Sequence, residues 1–263
     1  MCITLSVGDK GKNRRNDVLT IQILLNLNLH RLIPYSPCPQ DGKINDQTTA
    51  MIQEFQIRIM NMAKPDRKVD PRGKTLAALR EGIPDAFSQE KLQGIMINAT
   101  EATVKKYFSP LQVKMPANEI NTPMRTAHFL AQLGHESGEF RYSEEIASGA
   151  AYEGRKDLGN TQKGDGKRFK GRGLIQLTGR ANYKAYGDAT GKDFTTDDTA
   201  KLIATDAELA VDVSCWFWKT HKLNSLADAD NVTAITKRIN GGYNGLEDRK
   251  AKLVRAKFFL KVK

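Results

Sequence analysis

Four glutamates crowd the stretch HFLAQLGHESGEFRYSEE, His128 to Glu145: Glu136, Glu139, Glu144 and Glu145. Acid–base enzymes keep working carboxylates in such settings, and a solvated helix end carries them for solubility alone. In a helix opening at Pro123, Phe129, Leu133 and Glu136 fall at i, i+4 and i+7, so Glu136 continues an apolar stripe. A carboxyl partly desolvated there has its charged form disfavoured, which moves its pKa toward the range of a proton donor. The alternative is a glutamate whose stem lies on apolar surface while its head reaches water. Glu139 follows Gly138, where the helix should stop, and is expected to face solvent. Glu144 and Glu145 are adjacent, so they point to different sides and at most one shares a cleft with Glu136. Inverting glycosidases hold two carboxyl groups roughly 6.5–9.5 Å apart so that a water fits between. A helix end followed by a turn makes such a span feasible.

Two glycine-rich segments offer ligand-facing groups. GRGLIQLTGRANY, Gly171 to Tyr183, has glycines around Arg172, a short apolar strand-like run, then Gln176, Thr178, Arg180, Asn182 and Tyr183 in quick order. RINGGYNGLEDR, Arg238 to Arg249, repeats the style with Asn240 and Asn244. Backbone there can pass close to a ligand, and the amides and hydroxyl suit sugar hydroxyls and N-acetyl groups. A tight turn with self-capping side chains is the alternative for each. Competing chemistries are thinner. HESGE starts like a His-Glu-x-x-His zinc site, but Glu139 takes the second histidine's place. Gly166-Lys167 is followed by Arg168, so no phosphate-binding G-x-x-x-x-G-K-[ST] occurs. Cys215, Trp216 and Trp218 in VSCWFWK read as core packing, with a sugar-stacking wall as the alternative for the tryptophans.

The elements that must position these residues are helical. Up to residue 82 the chain reads as a small three-helix unit: Val18, Ile21, Leu25 and Leu29 near one face, Met51, Ile52, Phe55 and Ile59 on another helix, and a short third helix closing at Gly82. EGIPDAFSQE is the linker. From residue 88 to 263 come helices over about Ser88 to Tyr107, Pro123 to Ser137, Asp206 to Lys219, Val232 to Ile239 and Glu247 to Lys261. Thr122 before Pro123 reads as an N-cap with proline at the first helical position, and Thr205 to Glu208 has capping-box spacing. Between Glu145 and Ala181 the chain is too rich in glycine for helix and is expected to be loop or short hairpin. The fold class is mainly α.

The 263 residues carry a net charge of +11, which favours a polyanionic partner such as an anionic cell-wall polymer, membrane face or nucleic acid. That charge is spread, and no pure Lys/Arg block reads as a nucleic-acid arm. Three widely spaced cysteines fit reduced thiols, and four histidines without a Cys-x-x-Cys argue against a metal. No apolar run is long enough for a membrane span. The N-terminal sequence has no secretory-signal pattern, so synthesis and residence in a cytoplasm are expected. The basic, aromatic KAKLVRAKFFLKVK reads as a final helix or as a transient contact with an anionic outer membrane.

HFLAQLGHESGEF, GRGLIQLTGRANY and INGGYNGLEDR, in this order, resemble glycoside hydrolase family 19, and more closely its lysozyme-type members found as bacteriophage endolysins. The resemblance runs from about Ser88 to the C-terminus. It implies a mostly α, lysozyme-like bilobed domain that hydrolyses β-1,4 bonds beside N-acetylated amino sugars with inversion and without cofactor. Matched by position, Glu136 is the general acid, Glu145 the base that activates water, and Thr178 the hydroxyl that helps hold that water. His135, Gln176, Asn182 and Asn240 match the substrate cleft, and Arg249 matches a charged residue supporting the second carboxylate. Glu144 stays open as an alternative base. DGKINDQTTAMIQEFQ followed by VDPRGKTLAAL resembles the three-helix peptidoglycan-binding module often fused to such enzymes. The resemblance thus implies a monomeric endolysin acting on peptidoglycan glycan strands after release from the host cytoplasm through a holin-type pore. The short segment after Glu145 lacks the longer loops of plant chitinases, and chitin is the alternative substrate.

Overall fold

The apolar run after Arg14 folds as helix α1, Arg15–Leu27, and it is buried on every side instead of along one stripe. The reason lies in what surrounds it. Helices α2 (Asp46–Arg58), α3 (Lys74–Glu81) and α4 (Gln89–Ile95) all pack on α1, and a two-residue antiparallel pair joins β1 (Val7–Gly8) to β2 (Lys68–Val69). Two glutamines pin the connecting loops in the same way. Gln22 holds Gly42 N–H, the Lys43 carbonyl and Asp41, while Gln56 holds Arg67 N–H, the Lys68 carbonyl and Asp66. Each buried amide thereby satisfies backbone groups that a short loop would leave orphaned.

This computed structural model describes residues 2–262, and the chain divides into two compact units. One runs up to Ile97 and regains the chain from Leu253 onward, and the other is Asn98–Lys252. The division therefore differs from a boundary at 82 to 88. Helix α4 and the C-terminal residues fall with the smaller unit because Arg255 donates to the carbonyls of Gly94 and Cys2 and to Thr20 Oγ1. Phe259 also packs where a side chain at Gly94 would stand. With Leu253, Ala256 and Phe259 buried, the basic C-terminal stretch is an ordinary packed helix end.

In the larger unit α5 (Glu101–Ala117) packs on α10 (Ala207–Thr220), and α6 (Pro123–Glu136) packs on α11 (Leu223–Asp228). The single helix expected from Ser88 to Tyr107 is two, α4 and α5, because the chain breaks at Met96 and restarts at the Thr100 N-cap. Thr122 caps α6 with Pro123 in its first turn, as the sequence predicts. At α10 the cap is Asp206, whose carboxylate accepts from the N–H groups of Glu208 and Leu209, so the expected Thr205 box is displaced by one residue. Three helices escaped the periodicity reading: α8 (Arg180–Thr190), α9 (Asp197–Thr205) and α11. Helix α7 (Asp165–Arg168) and two single 3₁₀ turns interrupt the glycine-rich region, and its short hairpin is a tight reversal in which Arg172 and Leu177 exchange both backbone hydrogen bonds. Helices α12 (Val232–Asn240) and α13 (Leu246–Phe259) complete the chain.

A cluster of Phe169, Leu177, Tyr183, Tyr186, Phe194, Ala200, Ile203 and Val213 forms the core beneath the glycine-rich region, with Trp216 packed against it. Trp218 is fully buried edge-on to Phe129, and Cys215 is fully buried as well, so both are core, while Trp216 and Phe217 are half-buried and Lys219 is exposed. The mainly α fold class stands.

Candidate active site

The apolar stripe of α6 ends at Glu136, the last residue of the helix, with 17% of its side chain exposed. Its surroundings are less apolar than the stripe suggests. Arg249, on the first turns of α13 and 1% exposed, donates from Nη2 to Glu136 Oε1 at 2.5 Å and from Nη1 to the Gln132 amide oxygen. Gln132 lies one turn before Glu136, so one planar guanidinium spans both acceptors, a geometry that suits arginine and not lysine. Beside it, His135 Nδ1 meets Asp248 Oδ2 at 2.6 Å. Gly245 makes the approach possible, since a Cβ there would stand 2.1 Å from the His135 ring. Arg249 thus pairs with the first carboxylate instead of supporting the second, as the resemblance had it.

The chain after α6 turns back sharply. Gly138, Glu139 and Phe140 all have positive φ, at 57°, 59° and 70°. For a bulky residue such as Phe140 this is a strained conformation, which persists only where neighbours over-determine it. Here Ser137 Oγ accepts from Phe140 N–H, Tyr142 N–H reaches the Ser137 carbonyl, and Phe140 packs on Tyr107. Glu139 does not face solvent. It is 7% exposed, and its carboxylate accepts from Asn98 N–H at 2.7 Å, from Asn98 Nδ2 at 3.0 Å and from Lys252 Nζ at 2.7 Å. Its role is to lock the reversal. Because Tyr142 returns to Ser137, three residues, about 10 Å of extended chain, lead from there to Glu145.

Glu144 and Glu145 do point to different partners. Glu144, its side chain 41% exposed, accepts from Arg172 Nε at 2.9 Å and lies 3.5 Å from Lys170 Nζ. Glu145 is held by neutral donors: the Tyr152 hydroxyl at 3.0 Å on Oε1 and Gly171 N–H at 3.1 Å on Oε2. Burial first, then the bond to Glu145, push the Tyr152 phenol above its ordinary value, so it remains a donor. A backbone bond from Glu145 N–H to the Gly171 carbonyl and a bridge between Glu144 and Arg172 fasten this strand to the GRGLIQLTGRANY segment.

That segment is a turn, not a strand. Gln176 has φ 58° and donates to the Gly173 carbonyl, Thr178 Oγ1 donates to the Gln176 carbonyl at 2.9 Å, and Asn182 Nδ2 donates to the Thr178 carbonyl at 2.7 Å. Gly171 leaves room for both neighbours: a Cβ there would lie 2.9 Å from Gln176 Oε1 and 3.4 Å from Glu145 Cβ. The turn is seated from below by the fully buried Asp165, which takes both Nε and Nη2 of Arg180. Arg180 chiefly holds the Asp165 carboxyl below the usual carboxylate range.

Two groups result, one of Gln132, His135, Glu136, Asp248 and Arg249, the other of Glu145, Tyr152, Gly171, Gln176, Thr178 and Asn182. Among the described residues no hydrogen bond joins them. Asn240, exposed at the end of α12, belongs to neither. Chemically, the first group offers a carboxyl beside a fixed cation, and the second a carboxylate beside neutral donors with a hydroxyl on the adjoining turn. Tyr152, Asp165 and Lys252 support this arrangement although sequence spacing did not single them out, and so do Glu139, read as a surface acid, and Arg172, noted only for its flanking glycines.

Comparison with known proteins takes in both carboxylates, although the matched family stretch ends before Asp248 and Arg249. The family described as chitinase class I, glycosyl hydrolase 19, matches residues 119–243. A glycosyl hydrolase family 19 domain-containing protein of Haemophilus influenzae is 32% identical over 184 residues, 58% of this chain and 88% of that protein. Endochitinase At2g43620 of Arabidopsis thaliana is 37% identical over 116 residues, 44% of this chain but 38% of the plant protein. The chain thus spans about two fifths of the length of the Arabidopsis endochitinases it matches. In fold, it is similar to the class IV chitinase of Zea mays, with TM-score 0.54 and 24% identity over 69% of this chain and 94% of that one. Chitinase C of Streptomyces griseus gives TM-score 0.55 and 21% identity over 74% and 81%.

Proposed function

The chain belongs to glycoside hydrolase family 19, and from that premise we propose that it cuts the β-1,4 glycosidic bonds of bacterial peptidoglycan by a single inverting displacement. Glu136 donates a proton to the glycosidic oxygen as the bond to the anomeric carbon breaks. Glu145 takes a proton from the water that attacks the opposite face, through an oxocarbenium-like transition state. Glu136 is then left ionised, and the guanidinium of Arg249 stabilises that carboxylate. Thr178 spends its own hydrogen on the Gln176 carbonyl, so toward water its oxygen acts as an acceptor. Gln176, Asn182, His135 and Asn240 line the path of the sugar chain. No metal or organic cofactor takes part in these steps.

The observation that carries this reading is the contrast between the two carboxylates. One is gripped by a cation and the other only by a phenol and a backbone amide, two built settings instead of two solvated acids, and the assignment of Glu136 as acid and Glu145 as base follows their match to the family's positions. Glu144 is the weaker choice of base because Arg172 and Lys170 already engage it. A net charge of +11 favours an anionic wall polymer over neutral chitin. In this account the smaller unit binds the wall, and the protein acts as a monomeric, bacteriophage-type endolysin, a lysozyme released from the host cytoplasm by a holin-type pore.

A chitinase is the second reading, favoured by the identity to plant endochitinases. The test is E136Q on two substrates. Wild type is expected to clear peptidoglycan suspensions and E136Q to lose at least 10²-fold of the rate while remaining folded, in keeping with loss of a general acid (roughly 10²–10⁴-fold). Near-normal lysis by E136Q overturns the assignment, and soluble products from chitin alone favour the second reading.

A further inference from the structure

Glu144, next to Glu145 in the chain, helps wall a cavity of about 410 Å³. Its wall carries five basic side chains, Lys167, Arg168, Lys170, Arg172 and Lys201, against two acidic ones, Glu144 and Asp197. The acids are taken. Arg172 and Lys170 share Glu144, and Arg168 holds Asp197 at 2.7 Å. Arg168 chiefly, then Lys201 and Lys167, hold the Asp197 carboxyl below its usual range, so all three cations act on that one carboxylate. Two exposed ammonium groups, those of Lys167 and Lys201, therefore share the single charge of Asp197 with Arg168, and the five cations of the wall exceed its two acids. Lys170 ties the cavity to the candidate site, since its ammonium also donates to the Glu145 carbonyl at 2.9 Å.

A chain of N-acetylglucosamine is neutral and gives such a cavity nothing to bind. Peptidoglycan differs by carrying peptide stems with free carboxylates, each stem amide-linked to a lactyl ether of the glycan. We propose that this cavity receives a stem carboxylate of the glycan strand lying at Glu145, with Lys167 and Lys201 as its contacts, and so selects the anionic polymer over the neutral one. The inference rests on peptidoglycan being the substrate and assigns the residues that recognise it.

The experiment compares wild type with K167Q/K201Q on stem-bearing glycan strands free of phosphate polymers, on the same strands stripped of stems by an amidase, and on chito-oligosaccharides. The expected result at low salt is a loss of about two- to tenfold in kcat/KM on stem-bearing strands, the size of two exposed ion pairs. That loss should fade in 0.5 M salt, where screening reaches a few ångströms, roughly 3–5 Å. Stripped strands, which keep only the lactyl carboxylate bared by the amidase, and neutral chito-oligosaccharides should each be turned over alike by both proteins, since the stem carboxylate is missing from both. Equal losses on all three substrates, or none on the stem-bearing strands, overturn the cavity's role while leaving the substrate reading intact. Wild-type protein inert toward stem-bearing strands but active on chito-oligosaccharides overturns both.

Discussion

Replacing Arg249 by methionine keeps most of the side-chain stem and removes the guanidinium that bridges Gln132 and Glu136. The arginine is 1% exposed and the Gln132 side chain is fully buried, so no solvent takes over as donor. Leaving the Gln132 oxygen unpaired costs about 1–3 kcal/mol. Stranding the Glu136 carboxylate, 17% exposed, adds to this, and breaking a buried pair by removing one partner costs about 3–5 kcal/mol in all. For a unit of this size, 1 kcal/mol moves Tm by roughly 2–4 °C, so R249M should melt about 6–20 °C lower. Both tryptophans, Trp216 and Trp218, lie in the unit Asn98–Lys252 that holds the pair, so their fluorescence follows the relevant unfolding in urea. Stability alone does not identify the partner, and a double-mutant cycle does. In an E136M background the arginine faces no carboxylate, and R249M should then cost less by about 2 kcal/mol. Costs that add within about 0.5 kcal/mol would refute the pairing. R249K should rescue little, because an ammonium does not span two planar acceptors.

Two further outcomes follow. E145Q should lose most of the rate on cell wall and E144Q little, measured as kcat on solubilised peptidoglycan; a worse E144Q reverses the choice of base. Lys91 is 1% exposed, and burial first, then the nearby Lys261 charge, push its ammonium down to about 8 from 10.5. Between those pH values the unfolded chain binds more protons than the folded one, so this group makes stability rise with pH. Below about pH 8 it costs up to roughly 3 kcal/mol. Denaturation followed by circular dichroism should show K91M ahead of wild type at pH 7 and losing that lead toward pH 10, whereas a gap constant with pH contradicts this.

What the sequence reveals and what it hides follow from the range of the interactions. Thr122 and Pro123 mark the start of α6 because capping is local, and the i, i+4, i+7 stripe brings Glu136 to notice for the same reason. Glu139 looks like a surface acid because its partners, Asn98 and Lys252, lie 41 and 113 residues away. Helix α8 begins at Gly179 without a side-chain cap, and its buried face rests mainly on Tyr183 and Tyr186, too sparse a pattern to register as periodic. Likewise Arg249 attracts attention only through family resemblance, and its actual partner is fixed by where α13 starts against His135. The apolar stripe correctly points to a part-buried Glu136 but gives no hint of the cation beside it.

The central claim is that two carboxylates invert a β-1,4 bond of peptidoglycan, and the anomeric form of the first product tests it most directly. Proton NMR recorded within the first turnovers on solubilised peptidoglycan should show new reducing ends in the α form, which then mutarotate toward equilibrium. New ends that appear first in the β form, or the absence of new reducing ends, would contradict the account.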